Sequence, residues 1–182
     1  MRIISGTHKG RQIFPDKNFT ARPTTDFAKE NIFNVLNNYI EISDSLVLDL
    51  FSGTGSISYE FASRGAREVI SVELNYKHYF FIKKTAEEIG FKNIKTYKND
   101  AFAACKKLNG RQFDIIFADP PYQLKNINDV PGAIFDNNLL KDSGIAIIEH
   151  PATVDYSAHP LFQERRQYGS VNFSIFFKSQ EA

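Results

Sequence analysis

A change of pattern near residue 45 constrains the fold more than any other feature of this sequence. Beyond it, short apolar segments alternate with amphipathic ones, which predicts strands that alternate with helices. The predicted strands are 45–50, 68–73, 93–97, 113–118 and 144–149, and the predicted helices are 56–63, 76–89 and 101–108. Such an order favours a mostly parallel, doubly wound sheet with helices on both faces. Ligands bind these sheets beyond the carboxyl ends of the strands, so we expect chemistry just after Leu48, Val72, Tyr97 and Phe117.

The N-terminal segment has a different pattern. Residues 2–5 and 11–14 read as two short strands joined by a glycine-containing turn, which predicts a β-hairpin. A helix should follow, with Thr24, Thr25 or Asp26 as its N-cap.

At the other end, residues 164–169 and 170–178 predict a closing antiparallel hairpin. A chain of 182 residues fits a single domain. We expect residues 1–40 to form an N-terminal hairpin and helix extension and residues 41–182 to form the core.

Composition excludes several classes of protein. The chain is 42% hydrophobic and 24% charged, as in ordinary soluble proteins, and no apolar run is long enough to span a membrane. The N-terminus lacks the apolar stretch of a secretory signal. Its single cysteine, Cys105, cannot form an internal disulfide and is expected to be a small core residue. These features favour a cytoplasmic protein.

Charge is unevenly distributed. The chain as a whole has a net charge of +1, but residues 1–30 contain six basic and three acidic residues. A basic N-terminal arm on a near-neutral body fits contact with nucleic-acid phosphates. A solvated surface that happens to be basic is nearly as good an explanation on charge alone.

The segment 47–55 places an acid and two glycines at a strand-to-helix junction. Glycines there let the backbone approach a ligand closely. A dinucleotide-binding fingerprint would require a third glycine where Ser58 stands. Asp49 would repel a pyrophosphate but suits a cationic ligand without phosphate, such as S-adenosylmethionine. The alternative is a tight turn whose glycines serve packing alone.

Acids also follow the next two predicted strands. Glu73 ends the second strand, where a carboxylate can accept hydrogen bonds from both ribose hydroxyls. Asp100 follows the third strand and could accept a hydrogen bond from an adenine amino group or cap the next helix. Both roles of Asp100 are compatible.

Asp119-Pro120-Pro121-Tyr122 follows an apolar strand and is the sharpest signal. An exocyclic amino nitrogen is a poor nucleophile because its lone pair is delocalised into the base. Two acceptors, the Asp119 carboxylate and the Pro120 carbonyl, would favour a pyramidal nitrogen with an exposed lone pair. The prolines stiffen the loop, and Tyr122 offers a face on which an extruded base can stack. A rigid turn without chemistry is the alternative.

The remaining candidates are weaker. The four histidines show no metal-ligand spacing with one another or with Cys105, so no metal site is expected. Glu149 ends the fifth predicted strand near the expected cleft. A structural role for Glu149 is favoured over a catalytic one.

These motifs resemble the bacterial 16S ribosomal RNA guanine-N2 methyltransferases of the small, single-domain type. The resemblance runs from Met1 to about Glu149. It is carried by Arg2-Ile3-Ile4-Ser5-Gly6, Arg22-Pro23-Thr24-Thr25-Asp26, Glu30-Asn31-Ile32-Phe33-Asn34-Val35-Leu36, Leu48-Asp49-Leu50-Phe51-Ser52-Gly53-Thr54-Gly55, Ser63-Arg64-Gly65-Ala66 and Asp119-Pro120-Pro121-Tyr122. The two segments between residues 22 and 36 separate this family from other amino-methyltransferases.

The resemblance implies a Rossmann-like class I methyltransferase fold, S-adenosylmethionine as the cofactor and a guanine of 16S ribosomal RNA as the acceptor. The partner is then this RNA, within an assembling small subunit, and the enzyme is expected to be a monomer. Lys29 stands where the family usually has an arginine, and the tail after His150 matches weakly.

Three groups of site residues follow from the motifs and the resemblance together. The expected catalytic residues are Asp119, Pro120, Pro121 and Tyr122. The expected cofactor-binding residues are Asp49, Phe51, Ser52, Gly53, Thr54, Gly55, Glu73, Leu74, Asp100, Ala101 and Thr24. The expected substrate-binding residues are Arg2, Lys9, Arg11, Arg22 and Tyr122.

Two alternative functions share parts of this pattern. One is amino methylation of another acceptor, such as adenine N6 or a protein glutamine amide. The other is a non-catalytic RNA-binding assembly protein that retains the fold.

Overall fold

The computed structural model describes residues 1–15 and 25–178. Seven strands form one sheet in the order β3-β2-β1-β4-β5-β7-β6. The strands are β1 (Leu46–Leu50), β2 (Glu68–Glu73), β3 (Ile94–Lys98), β4 (Phe113–Ala118), β5 (Leu140–His150), β6 (Phe162–Tyr168) and β7 (Val171–Phe177). The helices are α1 (Asp26–Leu36), α2 (Ser56–Ser63), α3 (Tyr76–Ile89), α4 (Ala101–Lys107) and α5 (Val130–Phe135), with a 3-10 turn at Ile127–Asp129.

Strands β1 to β5 are parallel, and β7 and β6 complete the sheet antiparallel. This order confirms the predicted Rossmann-like class I methyltransferase fold and its closing hairpin. The order reverses between β1 and β4, because β1 is flanked by β2 on one side and by β4 on the other. A ligand site is expected beyond the carboxyl ends of strands at such a switch point.

Two elements differ from the sequence prediction. β5 begins at Leu140 rather than at residue 144. Residues 141–143 are polar and partly or fully exposed, so they lack the apolar pattern that predicts a buried strand. The two segments of the predicted N-terminal hairpin do pair, but over a short stretch: Arg2 and Gln12 form an antiparallel bridge, and the Ile3 amide donates to the Arg11 carbonyl at 3.0 Å. The amides of Ile4 and Ser5 donate to the carboxylate of Glu60, at 2.8 and 3.0 Å.

Residues on alternate positions of the strands build two apolar layers. One layer joins the N-terminal segment and α1, α2 and α3, and we call this side of the sheet the α2 face. The other layer joins α4 and α5, and we call it the α4 face. Because side chains alternate along a strand, odd positions of β1, β4 and β5 lie on the α2 face. Asp49, Asp119 and Glu149 continue these odd positions to the carboxyl edge.

The N-terminal arm, residues 1–15, packs along α2. The Thr7 amide donates to the Ser63 carbonyl at 2.8 Å, and the Ser63 hydroxyl donates to the Ser5 carbonyl at 2.6 Å. Gly6 has a positive φ of 82°, and a Cβ at this position would lie 1.8 Å from the Ser63 carbonyl oxygen. The arm is therefore docked on the core, and the division at residue 40 stays a prediction.

The N-cap of α1 is Thr25, one of the three predicted positions, and its hydroxyl accepts from the Ala28 amide at 3.2 Å. No helix in the described part of the chain is long and apolar enough to cross a membrane.

Candidate active site

The glycine loop between β1 and α2 begins the site. Gly53 and Gly55 both have positive φ, 55° and 82°. A Cβ on Gly55 would lie 2.8 Å from the Tyr59 ring, so close packing against α2 requires glycine there. Phe51 also has a positive φ, 61°, which a bulky residue adopts only where the surrounding structure holds it.

Asp49 lies buried beneath this loop at the end of β1. The Ser58 hydroxyl donates to its carboxylate, and the Ser52 hydroxyl donates to its main-chain carbonyl at 2.8 Å. Burial raises the pKa of Asp49 to about 7, although the hydrogen bond from Ser58 opposes the shift. Ser58, where a dinucleotide fingerprint would have glycine, therefore holds the acid of the loop.

Glu73 ties the end of β2 to the glycine loop. Its carboxylate accepts from the Gly53 amide at 2.8 Å and from the Asn75 amide at 2.7 Å. A carboxylate has about four lone-pair positions, so it retains capacity for the ribose hydroxyls that the sequence predicts. Leu74, the next residue, is 64% exposed at the same rim.

Asp100 caps α4, since its carboxylate accepts from the Ala103 amide at 3.0 Å. It remains exposed, which leaves it able to accept from a ligand as well. Ala101 begins the helix beneath it. An apolar depression beside these residues is lined by Leu50, Phe51, Ala101, Phe102, Cys105, Val130 and Ala133. The depression is shallow and has no space that would hold a water molecule.

Asp119 follows β4, and its amide donates to the Leu50 carbonyl at 3.2 Å. This bond fixes the start of the Asp119-Pro120-Pro121-Tyr122 loop against the end of β1. Burial raises the pKa of Asp119 well above its usual value, and the charges of Glu149 and Asp49 raise it further. The glycine loop and the Asp-Pro-Pro-Tyr loop thus place acidic groups in one cleft.

Glu149 lies beside both polar side chains of the Asp119–Tyr122 loop. The Tyr122 hydroxyl donates to its carboxylate at 3.1 Å, and its charge is one of the causes that raise the pKa of Asp119. Tyr122 remains 42% exposed, so its ring can still be reached. Sequence reasoning favoured a structural role for Glu149, and its only signal was an acid at the end of an apolar strand.

The basic residues expected to bind substrate are not grouped together. Arg2 lies near the start of α2, and its guanidinium is 3.5 Å from Asp26. Met1 beside it contacts the Thr54 hydroxyl through its sulfur at 3.4 Å. Lys9 lies in the turn at the other end of α2, about 12 Å away for an eight-residue helix. Arg11 lies between them, since its carbonyl accepts from the Ile3 amide at 3.0 Å.

Arg22 and Thr24, which were also predicted to line the cleft, lie outside the described residues. Their predicted roles stay predictions.

Lys29 is a residue whose role sequence reasoning missed. Its ammonium group is buried and donates to the Arg2 carbonyl at 2.6 Å and to the Ser56 hydroxyl at 3.1 Å. The Glu60 carboxylate lies 3.8 Å away. Burial lowers the pKa of Lys29, and the Glu60 charge opposes that shift. A group this buried does not face a phosphate; it links the arm, α1 and the start of α2.

Cys105 is fully buried in the α4 face, which raises the pKa of its thiol to about 12, so it is a core residue as predicted. Among the described residues, no cluster of three or more histidine, cysteine or acidic side chains has an arrangement that could hold a metal ion.

Comparison with known proteins adds to this geometry. Over residues 1–177 the chain matches the family described as Conserved hypothetical protein 95. A Bacillus subtilis protein, provisionally named the rRNA methyltransferase YlbH, is 33% identical, and the alignment covers 98% of this chain and 99% of that protein. Ribosomal RNA small subunit methyltransferase D of Buchnera aphidicola (subsp. Baizongia pistaciae) is 29% identical, with 97% and 91% covered.

Among solved structures, yhhF of Escherichia coli, provisionally named a methyltransferase, superposes with a TM-score of 0.83 at 26% identity. The superposition covers 97% of this chain and 96% of that one. The predictions of family, fold class and cofactor are confirmed. Matched along nearly its whole length, the chain belongs to the Conserved hypothetical protein 95 family of S-adenosylmethionine-dependent methyltransferases.

Proposed function

We propose that this enzyme methylates the exocyclic N2 amino group of a specific guanine in small-subunit ribosomal RNA. The observation that carries the reaction type is the contact of Asp119, Glu149 and Tyr122 at the end of β4, beside the glycine loop. The ribosomal target is supported by the relatives, because the Buchnera protein is named as a small-subunit ribosomal RNA methyltransferase.

The cofactor would lie across the carboxyl ends of β1, β2 and β3. Glu73 would accept hydrogen bonds from the ribose, and Asp100 would accept one from the adenine amino group. The adenine ring would pack against the apolar surface at Phe51 and Ala101. Asp49 beneath the loop suits a cationic ligand, because a positive charge would lower the free energy of its ionised form. S-adenosylmethionine, when bound, supplies an electrophilic methyl group.

The chain positions the acceptor through the loop after β4. Asp119 and the Pro120 carbonyl would accept the two N–H bonds of the amino group and turn its lone pair toward the methyl group. Tyr122 would stack against the extruded base while its hydroxyl stays bonded to Glu149. A nitrogen–carbon bond forms as the sulfur–carbon bond breaks, and the surplus N–H proton leaves to Asp119 or to water.

Asp119 and Glu149 would together act as the proton acceptor. Two neighbouring carboxyl groups shielded from water hold one proton between them more readily than they hold two charges. The ionised group of the pair would draw the proton from the methylated nitrogen. This division of labour gives Glu149 a role in orienting Asp119 and Tyr122 as well as in setting the charge of the site.

A ribosomal RNA target places the enzyme in the cytoplasm, with an assembling small subunit as its partner. Methylation of adenine N6 or of a glutamine amide would use the same loop. The basic arm docked along α2 favours an RNA acceptor over a protein one.

The test is a comparison of ribosomal RNA from cells with and without the gene. Mass spectrometry of nuclease fragments should show the loss of one N2-methylguanosine from the small-subunit RNA, and the purified enzyme should restore it in vitro. An Asp142→Ala variant serves as a matched control, because Asp142 is exposed at the opposite end of β5. An unchanged methylation map would refute the assignment.

A further inference from the structure

We propose that the outer side of α3, together with the end of β3, is a second RNA-binding surface, separate from the pocket for the target base. We call it the α3 surface and define it by Tyr76, Lys77, Phe80, Lys83 and Lys98. It rests on the proposed RNA substrate, and it extends that function by naming where a distant part of the RNA binds.

Two aromatic rings of this surface face solvent. Tyr76 is 60% exposed and Phe80 is 51% exposed. They are one helical turn apart, with ring centroids 6.2 Å apart and planes inclined by 20°. Neighbouring exposed aromatic rings form an apolar patch of the kind that usually marks a binding site.

Positive charge surrounds these rings. Between Leu74 and Lys98 the sequence has six lysines and two glutamates, in a chain whose net charge is only +1. The Lys98 ammonium lies 5.9 Å from the centre of the Tyr76 ring. Within the part of the chain that the structure describes, Lys77, Lys83 and Lys98 form no ion pair.

The α3 surface lies on the same side of the sheet as the arm. Helix α3 begins three residues after Glu73, at the carboxyl edge of the sheet, and packs on the same face as α2 and the arm. At its far end the His8 ring of the arm lies 4.4 Å from the ring of Phe91. A strand of RNA that leaves the target pocket at the carboxyl edge of the sheet would therefore meet the start of α3, whose 14 residues span about 21 Å.

The chemistry of the surface favours RNA over a protein partner. Unpaired bases stack on exposed aromatic rings, and lysines between the rings attract the phosphates. Lysine is depleted in protein–protein interfaces, whereas this surface has three lysines beside two rings. The occupant we propose is thus an unpaired stretch of the substrate RNA.

The first experiment removes the rings. Binding of a labelled transcript of small-subunit ribosomal RNA is measured by filter retention for Tyr76→Ala/Phe80→Ala and for Tyr76→Phe. We expect the double variant to bind about tenfold more weakly and Tyr76→Phe to bind like the parent enzyme. Tyr97→Ala is the matched control, because Tyr97 is 48% exposed on β3 but pairs in register with Val72 of the α4 face.

The second experiment removes the charges and leaves the rings in place. For Lys77→Ala/Lys98→Ala, the slope of log affinity against log salt concentration should fall by about 1.4, as expected for two lost phosphate contacts on a single strand. Lys106→Ala/Lys107→Ala removes two exposed lysines from α4, on the opposite face, and should change neither affinity nor slope beyond a general charge effect.

Unchanged RNA affinity and salt slope in both double variants would overturn the proposal. So would sedimentation showing that Tyr76→Ala/Phe80→Ala only dissociates a dimer, because the surface would then bind a second copy of the chain. An enzyme that methylates no ribosomal RNA yet loses RNA affinity in these variants would refute the proposed reaction and support the surface. Full methylation of ribosomal RNA with unaltered RNA affinity in these variants would support the proposed reaction and refute the surface.

Discussion

The candidate site has two halves, one at the end of β2 and one at the ends of β4 and β5, and their carboxylates have opposite surroundings. At the end of β2, Glu73 accepts two main-chain N–H groups, and these donors hold the glycine loop in shape. At the ends of β4 and β5, half-buried Asp119 lies beside buried Glu149, and the pKa of Asp119 is raised. The Glu73 carboxylate thus has hydrogen-bond donors before any ligand binds. Asp119 and Glu149 instead place two hydrogen-bond acceptors next to each other.

This difference fits two different tasks. A carboxylate that receives two donors is rigid, so the cofactor half is preorganised for binding. Neighbouring carboxyl groups that lack donors are stabilised most by a ligand that brings N–H groups to them. In the proposed reaction, the ligand with such donors is the amino group of the acceptor base. Variants at each half should therefore separate cofactor binding from turnover.

The largest effect is expected for Asp119→Ala. Removal of the acceptor that orients the amino group should lower kcat by about a thousandfold, since a single well-placed polar group in an active site contributes on this scale. Cofactor affinity should stay within a few-fold of the parent value, because Glu73 and the glycine loop are untouched. Single-turnover methylation and calorimetry measure the two quantities.

Normal methylation by the Asp119→Ala enzyme would show that the role given to this residue is wrong. Asp129→Ala, near the same loop on the 3-10 turn, provides a control for the general loss of an acid.

Glu73→Ala should produce the opposite separation. The variant loses the acceptor for the ribose and for the Gly53 amide, so cofactor affinity should fall by about a hundredfold, or about 3 kcal/mol for charged hydrogen bonds. At saturating cofactor, kcat should remain close to that of the parent. Isothermal calorimetry and a cofactor titration of the rate give both values, with exposed Glu88→Ala as the control.

Unchanged cofactor affinity in Glu73→Ala would contradict the proposed difference between the two halves. It would show that the glycine loop does not depend on the Glu73 carboxylate for cofactor binding.

Asp49 lies close to both halves of the site, since its charge acts on Glu73 and on Asp119. Its pKa of about 7 predicts that the stability of the protein depends on pH. The pKa is raised from 3.8, so the ligand-free folded protein holds a proton that the unfolded chain has lost between these pH values. Stability of the ligand-free protein should therefore fall as pH rises from about 4 to about 7. The full shift corresponds to about 4 kcal/mol, which relaxation of the site and water entry reduce to about 2 kcal/mol.

Asp49→Asn has no proton to lose, so it should be more stable than the parent at pH 8 by about 2 kcal/mol and should lose its advantage near pH 4. Thermal unfolding at the two pH values measures this difference. The same variant should bind the cofactor more weakly, because the acid suits the cationic ligand. An equal stability change at both pH values would contradict the raised pKa.

Several elements could be predicted from sequence because they depend on local patterns. The ranges 56–63, 68–73, 76–89 and 113–118 agree with α2, β2, α3 and β4 at both ends. Buried parallel strands are continuous apolar runs, and the helices between them have an apolar face and recognisable caps. The cleft residues of the glycine loop and of the Asp119 loop were predictable because they follow such strands directly.

Other features depend on which strands and helices become neighbours. Glu149 meets Asp119 only because β5 pairs with β4, and its sequence context resembles that of any acid at a strand end. Lys29 and Glu60 are charged residues on helices, and both are buried where the arm crosses α1 and α2, which the sequence alone does not indicate. The arm is held to α2 because the Glu60 carboxylate accepts from the amides of Ile4 and Ser5, a contact that the sequence of the arm does not show.

The smallest effect is expected for Glu149→Gln, and it is the most specific test of the crowded half. Loss of the neighbouring charge removes one of the causes that raise the pKa of Asp119, while burial, the larger cause, remains. The acid limb of the kcat profile should thus move to lower pH without reaching the value of a free aspartate. At pH 8, kcat should fall about fivefold, because glutamine can still accept from Tyr122 but is a poorer acceptor than a carboxylate.

Tyr122→Phe, which loses that hydrogen bond and keeps both acids, should lower kcat to a similar degree and leave the acid limb in place. If both variants shift the limb equally, charge on Glu149 does not control Asp119, and the contrast between the two halves lies in hydrogen bonding alone.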